Sequence, residues 1–170
     1  MKKYLISVEA IGSIFNECYK DWNGSETGGV LTGLKGDSRI ITDFIPSSKH
    51  AERESHSYYQ SSKDVSILNY KLIEHQREGK DFVGYVHKHP PGIKNLSQGD
   101  ASTCHKILSS PNYAINNKLV MGIVTQVDGN CDLPIFFYFV SLNLNDEVVI
   151  EKIKINILPK RCIEEITQYV

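Results

Sequence analysis

A short stretch with two histidines one residue apart constrains the fold of this chain more than any other feature. In it, the two histidines are followed directly by Pro-Pro-Gly. The preceding residues favour a strand over Phe82–His89, in which His87 and His89 project from the same face because side chains alternate along a strand. Proline lacks an amide donor and glycine permits a sharp reversal, so the strand is predicted to end at Pro90.

The same stretch contains the residue types of a metal site. After the turn the chain passes through Ser97 to Asp100, where a helix is predicted to begin. Two imidazoles and one carboxylate supply three ligands and leave a fourth position for water, which is typical of catalytic rather than structural zinc sites. The spacing therefore predicts a metal site formed by His87, His89 and Asp100. The remaining histidines are predicted to be ordinary surface or core residues: His50, His56, His75 and His105.

Length and composition are those of an ordinary globular chain. Its 170 residues carry a formal net charge of -1 and are 41% hydrophobic, which predicts one domain with a sizeable core. This charge balance implies neither nucleic acid nor an anionic membrane as a partner, and no apolar run approaches the roughly 20 residues of a membrane span. Glu9 interrupts the first apolar run too early for a signal peptide, so a cytoplasmic location is expected. Four cysteines without a CxxC pair predict neither a disulfide framework nor a cysteine-rich zinc site.

Apolar periodicity predicts helices set among strands. Helices are expected over Glu9–Trp22, Ser62–Glu78 and Gln98–Ser109, with a short one within Cys162–Val170. Besides Phe82–His89, strands are expected over Tyr4–Val8, Glu26–Gly33 and Arg39–Ile45 (a hairpin), Leu119–Gln126, Leu133–Leu144 and Glu147–Leu158. This order predicts an α+β fold with a curved sheet. The polar segment Pro46–Ser61 is expected to be a loop or a short irregular strand, in which Tyr58 and Tyr59 either anchor the loop or contact a partner.

A hydrolytic metal site also needs a proton acceptor for its water. A carboxylate can serve, provided that it reaches the water without binding the metal. Glu26 is a candidate because it opens the glycine-rich stretch Glu26–Gly33, where the backbone can approach a neighbouring strand closely. Its alternative role is a solvated charge at the start of a strand, and spacing alone does not choose between the two.

Three pieces of this sequence together resemble a known motif. His87-Lys-His89-Pro, Ser97-Gln-Gly-Asp100 and the upstream Glu26-Thr-Gly-Gly-Val-Leu-Thr-Gly are similar to the JAMM motif of the JAB/MPN (MPN+) zinc metalloprotease family. The similarity runs from about Tyr4 to about Phe139. It implies that residues 1–170 form a single JAB/MPN metalloprotease domain with a cytidine deaminase-like fold, in which helices flank a curved, mostly antiparallel or mixed β-sheet.

The resemblance also implies a role for each residue of the motif. His87, His89 and Asp100 would bind a catalytic Zn2+ ion. Glu26 would be the general acid/base, and Ser97 would help to stabilise the tetrahedral intermediate.

One position departs from the family pattern. The residue between the histidines is commonly serine or threonine in the family and is Lys88 here. Because it lies between two inward-facing residues, Lys88 is expected to point away from the metal. The departure therefore bears on a substrate groove or a partner face more than on metal binding.

The family cleaves peptide or isopeptide bonds at the C-terminus of ubiquitin or ubiquitin-like proteins. The short single-domain form resembles bacterial members associated with operons of ubiquitin-activating-type and conjugating-type enzymes, some of them antiviral. The resemblance thus implies a deubiquitinase-like metallopeptidase with a ubiquitin-like protein or its conjugate as substrate, those enzymes as partners, and Pro46–Ser61 and Asn112–Asn117 framing the groove. The alternatives are a non-catalytic scaffold, which typically lacks the ligands, and a zinc amidohydrolase acting on another amide.

Overall fold

The computed structural model describes residues 3–20, 25–113, 118–127 and 134–167. Within these ranges the chain has an α+β fold with a curled, mixed eight-stranded sheet and four helices. The helices are α1 (Val8–Lys20), α2 (Ser62–Arg77), α3 (Gln98–Leu108) and α4 (Lys160–Thr167). The strands are β1 (Tyr4–Ser7), β2 (Gly28–Leu34), β3 (Ile40–Pro46), β4 (Glu52–Arg53), β5 (Tyr58–Tyr59), β6 (Lys80–Lys88), β7 (Lys118–Val124), β8 (Ile135–Leu142), β9 (Val148–Ile153) and β10 (Ile155–Leu158).

The strand order of the large sheet is β10-β1-β3-β2-β6-β7-β8-β9. The pairs β1–β10, β1–β3 and β6–β7 are parallel, whereas β2–β3, β2–β6, β7–β8 and β8–β9 are antiparallel. The α+β class and the mixed, curved sheet expected from the sequence are therefore confirmed. The pairing of β2 with β6 has the greatest consequence for function, because β6 ends at the two histidines.

The chain near Lys154 crosses from one edge of the sheet to the other. The sequence predicts one strand over Glu147–Leu158, but the structure divides it into β9, which pairs with β8, and β10, which pairs with β1. The single-strand prediction is wrong because alternation reports extended backbone and not which neighbour it pairs with. The two edges of the sheet approach each other here, as shown by ring centroids of Tyr4 and Phe139 that lie 5.9 Å apart. The division thus follows from the curl of the sheet.

Both faces of the sheet are covered by helices. In β7, Val120 and Val124 belong to a core that also contains α1, whereas Leu119, Met121 and Ile123 pack with residues of α3. This alternation explains why β7 is an almost continuous apolar run, as expected for a strand buried on both faces. A smaller cluster contains Leu68 of α2 and residues of β2 and β3, which places α2 beside α3 on the second face.

The segment between β3 and α2 contains the two short strands β4 and β5, which pair with each other in a two-stranded sheet. This agrees with the expected irregular strand in Pro46–Ser61.

None of the helices in the described ranges reaches the length and apolar character that a membrane crossing needs.

Candidate metal centre

Glu26 and His87 come from neighbouring antiparallel segments. In the β2–β6 register, Gly28 lies directly opposite His87, and Glu26 lies two residues before the start of β2. A Cβ atom at Gly28 would collide with the carbonyl oxygen of Val86, so glycine permits this close approach of the two backbones. The sheet therefore places the Glu26 carboxylate beside the His87 imidazole.

Asp100 enters the site from the first turn of α3. Ser97 is the N-cap of this helix, and its hydroxyl accepts a hydrogen bond from the Asp100 amide at 3.1 Å. In return, the Ser97 amide and hydroxyl both donate to Oδ2 of Asp100 at 2.7 Å. This reciprocal capping box satisfies backbone donors at the start of α3 and fixes the carboxylate that faces the histidines.

Two imidazoles share the Asp100 carboxylate. Nδ1 of His87 lies 3.0 Å from Oδ1, and Nε2 of His89 lies 3.0 Å from Oδ2. Potential ligand atoms of His87, His89 and Asp100 all lie within 4.8 Å of one another. His89 and Asp100 are buried, and His87 is half-buried. The structure therefore brings together the three residues that the spacing predicts as ligands.

Glu26 completes the cluster from the other side of His87. Its Oε2 atom lies 2.9 Å from Nε2 of His87, and only 6% of the residue is exposed. The Glu26 amide donates to the carbonyl of Glu54 at 2.7 Å, which holds the segment ahead of β2 in place. The alternative role of Glu26, a solvated charge at the start of a strand, predicts an exposed carboxylate. The structure instead buries this carboxylate beside the ligand group.

The pKa values show that this cluster favours positive charge at its centre. Burial opposes protonation of His87, but hydrogen bonds to Asp100 and Glu26 outweigh it and raise its pKa to about 9. Burial would raise the pKa of Asp100, yet hydrogen bonds from His87, His89 and Ser97 hold it far below its usual range. Two carboxylates thus surround the imidazoles, as a site for a cation requires.

The donor set fits a divalent transition metal. Two imidazole nitrogens and one carboxylate oxygen suit Zn2+ and related ions, and the His89 ring retains a buried nitrogen, Nδ1, without a hydrogen-bond partner among the described residues. Burial of a polar atom without a partner is costly, so such an atom in a native site calls for an explanation. The trio of His87, His89 and Asp100 is therefore able to hold a metal ion.

Lys88, between the two histidines, belongs to the other face of β6. It is buried, and its positive charge acts on the thiol of Cys18 in α1. Burial raises the pKa of Cys18 to about 12, and the charge of Lys88 opposes that rise. Because α1 covers the face opposite to α2 and α3, this position agrees with the expectation that Lys88 points away from the candidate metal centre.

A second buried polar group lies behind Glu26 and was not anticipated from the sequence. We call Glu17, Thr27 and Arg53 the rear cluster. Thr27 Oγ1 donates to Glu17 Oε1 at 2.8 Å, Arg53 Nε donates to Thr27 Oγ1 at 2.9 Å, and Arg53 Nη2 lies 3.2 Å from Glu17 Oε1. One sequence signal points to this cluster. Glu17 follows Ile14 by three residues and so lies on the apolar, buried side of α1, where a charged residue is unusual and needs a partner.

A cavity of about 490 Å³ adjoins the candidate metal centre. One end is lined by Glu26, His87, Ser97 and Asp100. The remainder, which we call the apolar cavity, lies between α2, α3 and β5, with Val30, Leu68 and Tyr85 among its buried or half-buried residues and Tyr59, Val65 and Tyr113 among its exposed ones.

The two tyrosines of β5 behave differently. The Tyr58 ring lies 5.4 Å from the His87 ring and its hydroxyl hydrogen-bonds Ser47, so Tyr58 anchors its loop as expected. Tyr59 is 64% exposed and does not serve as a buried anchor. Of the two segments expected to frame a groove, Pro46–Ser61 lines the cavity through residues 57–60, and the other lines it through Tyr113, while residues 114–117 lie outside the described ranges.

Comparison with known proteins bears on the fold alone. No family model and no curated protein matches this chain. Among solved structures, the chain is similar to the solution structure of a structural-genomics target protein from Desulfitobacterium hafniense. The TM-score is 0.61 at 14% sequence identity, and the similarity covers 91% of this chain and 94% of that chain. The likeness extends over nearly the whole of both chains, and it supports a shared architecture.

Proposed function

We propose that this protein is a zinc-dependent peptidase or isopeptidase of the JAB/JAMM (MPN+) family, with the JAB/MPN fold. Its proposed substrate is ubiquitin or a ubiquitin-like protein, cut after the C-terminus by deconjugation or precursor processing in a bacterial antiviral conjugation system. One observation carries the proposal: the buried Glu26 carboxylate lies 2.9 Å from His87 but outside the His87, His89 and Asp100 ligand group. A carboxylate beside a metal's ligands is what amide hydrolysis needs for proton transfer.

The proposed mechanism divides the chemistry between metal and carboxylate. His87, His89 and Asp100 would hold Zn2+, which would supply Lewis acidity toward water and an amide carbonyl when bound. Glu26 accepts the proton of the attacking water and delivers it to the nitrogen of the leaving amine, so that the amine departs neutral. Its burial keeps bulk water from competing for that proton.

Ser97 has two proposed tasks in this mechanism. Its hydroxyl donates to Asp100, which orients the carboxylate for metal binding. It also lines the cavity at the metal end. Support of the transition state by Ser97, as the family resemblance implies, requires that its hydroxyl turn from Asp100 toward the substrate.

Strand addition beside β5 would deliver an extended substrate tail. In the described part of the chain β5 pairs only with β4, so its other edge has no strand partner and is the edge proposed to receive the tail. Tyr58 of β5 lies against the ring of His87. A tail paired with β5 would therefore pass close to the candidate metal centre.

Substitution of Glu26 tests the proposal. Glu26→Gln removes the proton carrier and leaves the three ligands intact, so turnover should fall by about 1,000-fold or more while zinc remains bound. The assay incubates purified protein with ubiquitin-like fusions encoded near it, with and without chelator, and elemental analysis measures zinc. Glu52→Gln, at an exposed position of β4, is the matched control and should retain full activity.

The outcomes separate the proposal from its rivals. Substantial cleavage by Glu26→Gln would remove Glu26 from the mechanism. Carefully purified protein without zinc would instead favour a non-catalytic scaffold. Cleavage of other amides but of no ubiquitin-like fusion would favour a zinc amidohydrolase, a candidate that the apolar cavity beside the metal centre also supports.

A further inference from the structure

The apolar cavity continues directly from the candidate metal centre. Glu26, His87 and Asp100 line one end of it, and no other acidic or basic side chain among the described residues lines the rest. The other polar lining residues are uncharged: Ser57, Gln60, Asn69, Ser97 and Thr103. A substrate group that passes the metal end and enters the apolar cavity would find there no charged side chain of the described ranges with which to form an ion pair.

The lining is apolar from its buried wall to its exposed rim. Val30 and Leu68 are 8% and 3% exposed, and both belong to one apolar cluster that Phe82 and Tyr85 also contact. The Tyr85 hydroxyl already has partners within the protein, since it lies 3.4 Å from the Cys104 sulfur and 3.5 Å from the carbonyl oxygen of Asp100. An apolar group placed here would therefore displace water from a wall that offers it few hydrogen bonds.

The rim is formed by large side chains that folding leaves exposed. Tyr59, Val65 and Tyr113 are 64%, 38% and 40% exposed, and they come from three separate segments that all line this cavity. Exposed apolar side chains gathered round one opening mark a ligand or partner site more than a chance surface. The whole cavity, with the metal end included, has a volume of about 490 Å³, which lies in the range of sites for small molecules.

We propose that the substrate carries a bulky, uncharged apolar group next to the amide that is hydrolysed, and that the apolar cavity binds this group. The inference rests on the proposed function, since it takes the metal centre as the place of hydrolysis. It sets the substrate class apart from chains with only glycine on both sides of the amide, which would leave the cavity unfilled. It also disfavours a basic side chain, because no acidic residue away from the metal end is present to bind it.

The first test measures hydrolysis by the zinc-loaded full chain. The substrates are internally quenched peptides with a single scissile amide. In one series the residue before the amide varies, and in the other the residue after it varies. The varied residue is Phe, Leu, Gly, Arg or Glu. Burial of a large apolar side chain predicts that kcat/KM for Phe or Leu exceeds that for Gly, Arg and Glu by about 10- to 100-fold on one side of the amide. Equal rates, or a preference for Gly or Arg on both sides, would overturn the inference while leaving amide hydrolysis intact.

A matched pair of variants locates the preference in the cavity. Val65→Asp introduces a carboxylate into the rim, and Ile73→Asp places one at a similarly exposed position of α2 that does not line the cavity. Val65→Asp should lower kcat/KM for the Phe peptide by about 10-fold and improve that for the Arg peptide. Ile73→Asp should change neither rate. An equal loss of kcat/KM in both variants would mean that the preference for the Phe peptide does not arise in the apolar cavity.

A binding experiment separates this inference from the proposed function. Acetyl-phenylalanine hydroxamate and acetyl-glycine hydroxamate both chelate zinc and differ only in the apolar group, and calorimetry gives their affinities without any turnover. Binding of the phenylalanine compound should be about 10-fold tighter or more, and Val65→Asp should abolish the difference. That result in a protein that cleaves no peptide would retain the apolar site and reject the hydrolase. Equal affinities would reject an apolar site on the acyl side of the amide.

Discussion

Two buried polar clusters meet at the start of β2, and their hydrogen bonding differs. Glu26 belongs to the candidate metal centre, and the next residue, Thr27, belongs to the rear cluster with Glu17 and Arg53. In the rear cluster a guanidinium neutralises a carboxylate, and Arg53 also donates to the carbonyls of three residues of its loop: Ser47, Ser48 and Ala51. This cluster is neutralised by the protein itself.

The candidate metal centre contains two carboxylates and no lysine or arginine among its members. Its positive charge comes from His87, which loses its proton when it ligates a metal, and His89 keeps a ring nitrogen without a partner in the described ranges. Buried charge therefore occurs both in a structural cluster and in a candidate metal centre. The source of the positive charge distinguishes the two clusters. The rear cluster is balanced by groups of the protein, whereas the other cluster has a donor set that could hold an added ion.

The largest effect is expected from Asp100→Asn. The substitution keeps the shape of the side chain but removes the anionic ligand, so zinc affinity should fall by more than the roughly 100-fold that loss of an outer partner costs, and hydrolysis should be lost. Asp64→Asn is the matched control, because Asp64 occupies the same third position after the N-cap serine of α2 and is equally buried. It should lower stability but leave zinc affinity unchanged.

Calorimetric titration with zinc measures the zinc affinity of both variants and so distinguishes the roles of the two aspartates. Similar zinc affinity in Asp100→Asn and the wild type would remove Asp100 from the ligand group. A loss of zinc in Asp64→Asn as large as that in Asp100→Asn would show that metal binding follows general stability, and would end the distinction between the two clusters.

A smaller effect, on stability, is expected in the rear cluster. Arg53→Met should lower the free energy of unfolding by about 2 kcal/mol, because it removes the guanidinium from the buried Glu17 carboxylate and leaves it only the Thr27 hydroxyl and the exposed Lys20 ammonium. The double variant Glu17→Met with Arg53→Met should recover most of that loss, since it removes both charges. Urea denaturation of the zinc-free proteins measures both. A double variant less stable than Arg53→Met would mean that the carboxylate is still satisfied without the arginine.

Local sequence rules account for one half of the candidate metal centre. Alternation along β6, the Pro-Pro-Gly turn and the N-cap at Ser97 act within a few residues, and they suffice to bring His87, His89 and Asp100 together. The position of Glu26 depends on which strand pairs with β6, and spacing does not contain that information. Glu26 was a candidate through the family resemblance and through the glycines after it, one of which, Gly28, does permit close approach.

The features that sequence reasoning missed depend on contacts between distant segments. Glu17 and Arg53 are separated by 36 positions, and their pairing requires that the loop after β3 fold back over α1. The division of Glu147–Leu158 into β9 and β10 likewise follows from the curl of the sheet, which brings its two edges to one chain segment. Periodicity identified the helix that contains Glu17 and the extended backbone of Glu147–Leu158, but it could not identify their partners.

The smallest expected effect compares two N-cap serines. Ser97→Ala and Ser61→Ala each remove a hydroxyl that caps a helix, α3 and α2 respectively, and each should lower the free energy of unfolding by about 1 kcal/mol. Only the Ser97 hydroxyl also donates to Asp100, so Ser97→Ala should in addition weaken zinc binding by about 10-fold, while Ser61→Ala leaves it unchanged. Equal zinc affinities in the two variants would mean that the Ser97 amide, which also donates to Oδ2 of Asp100, is enough to orient the ligand.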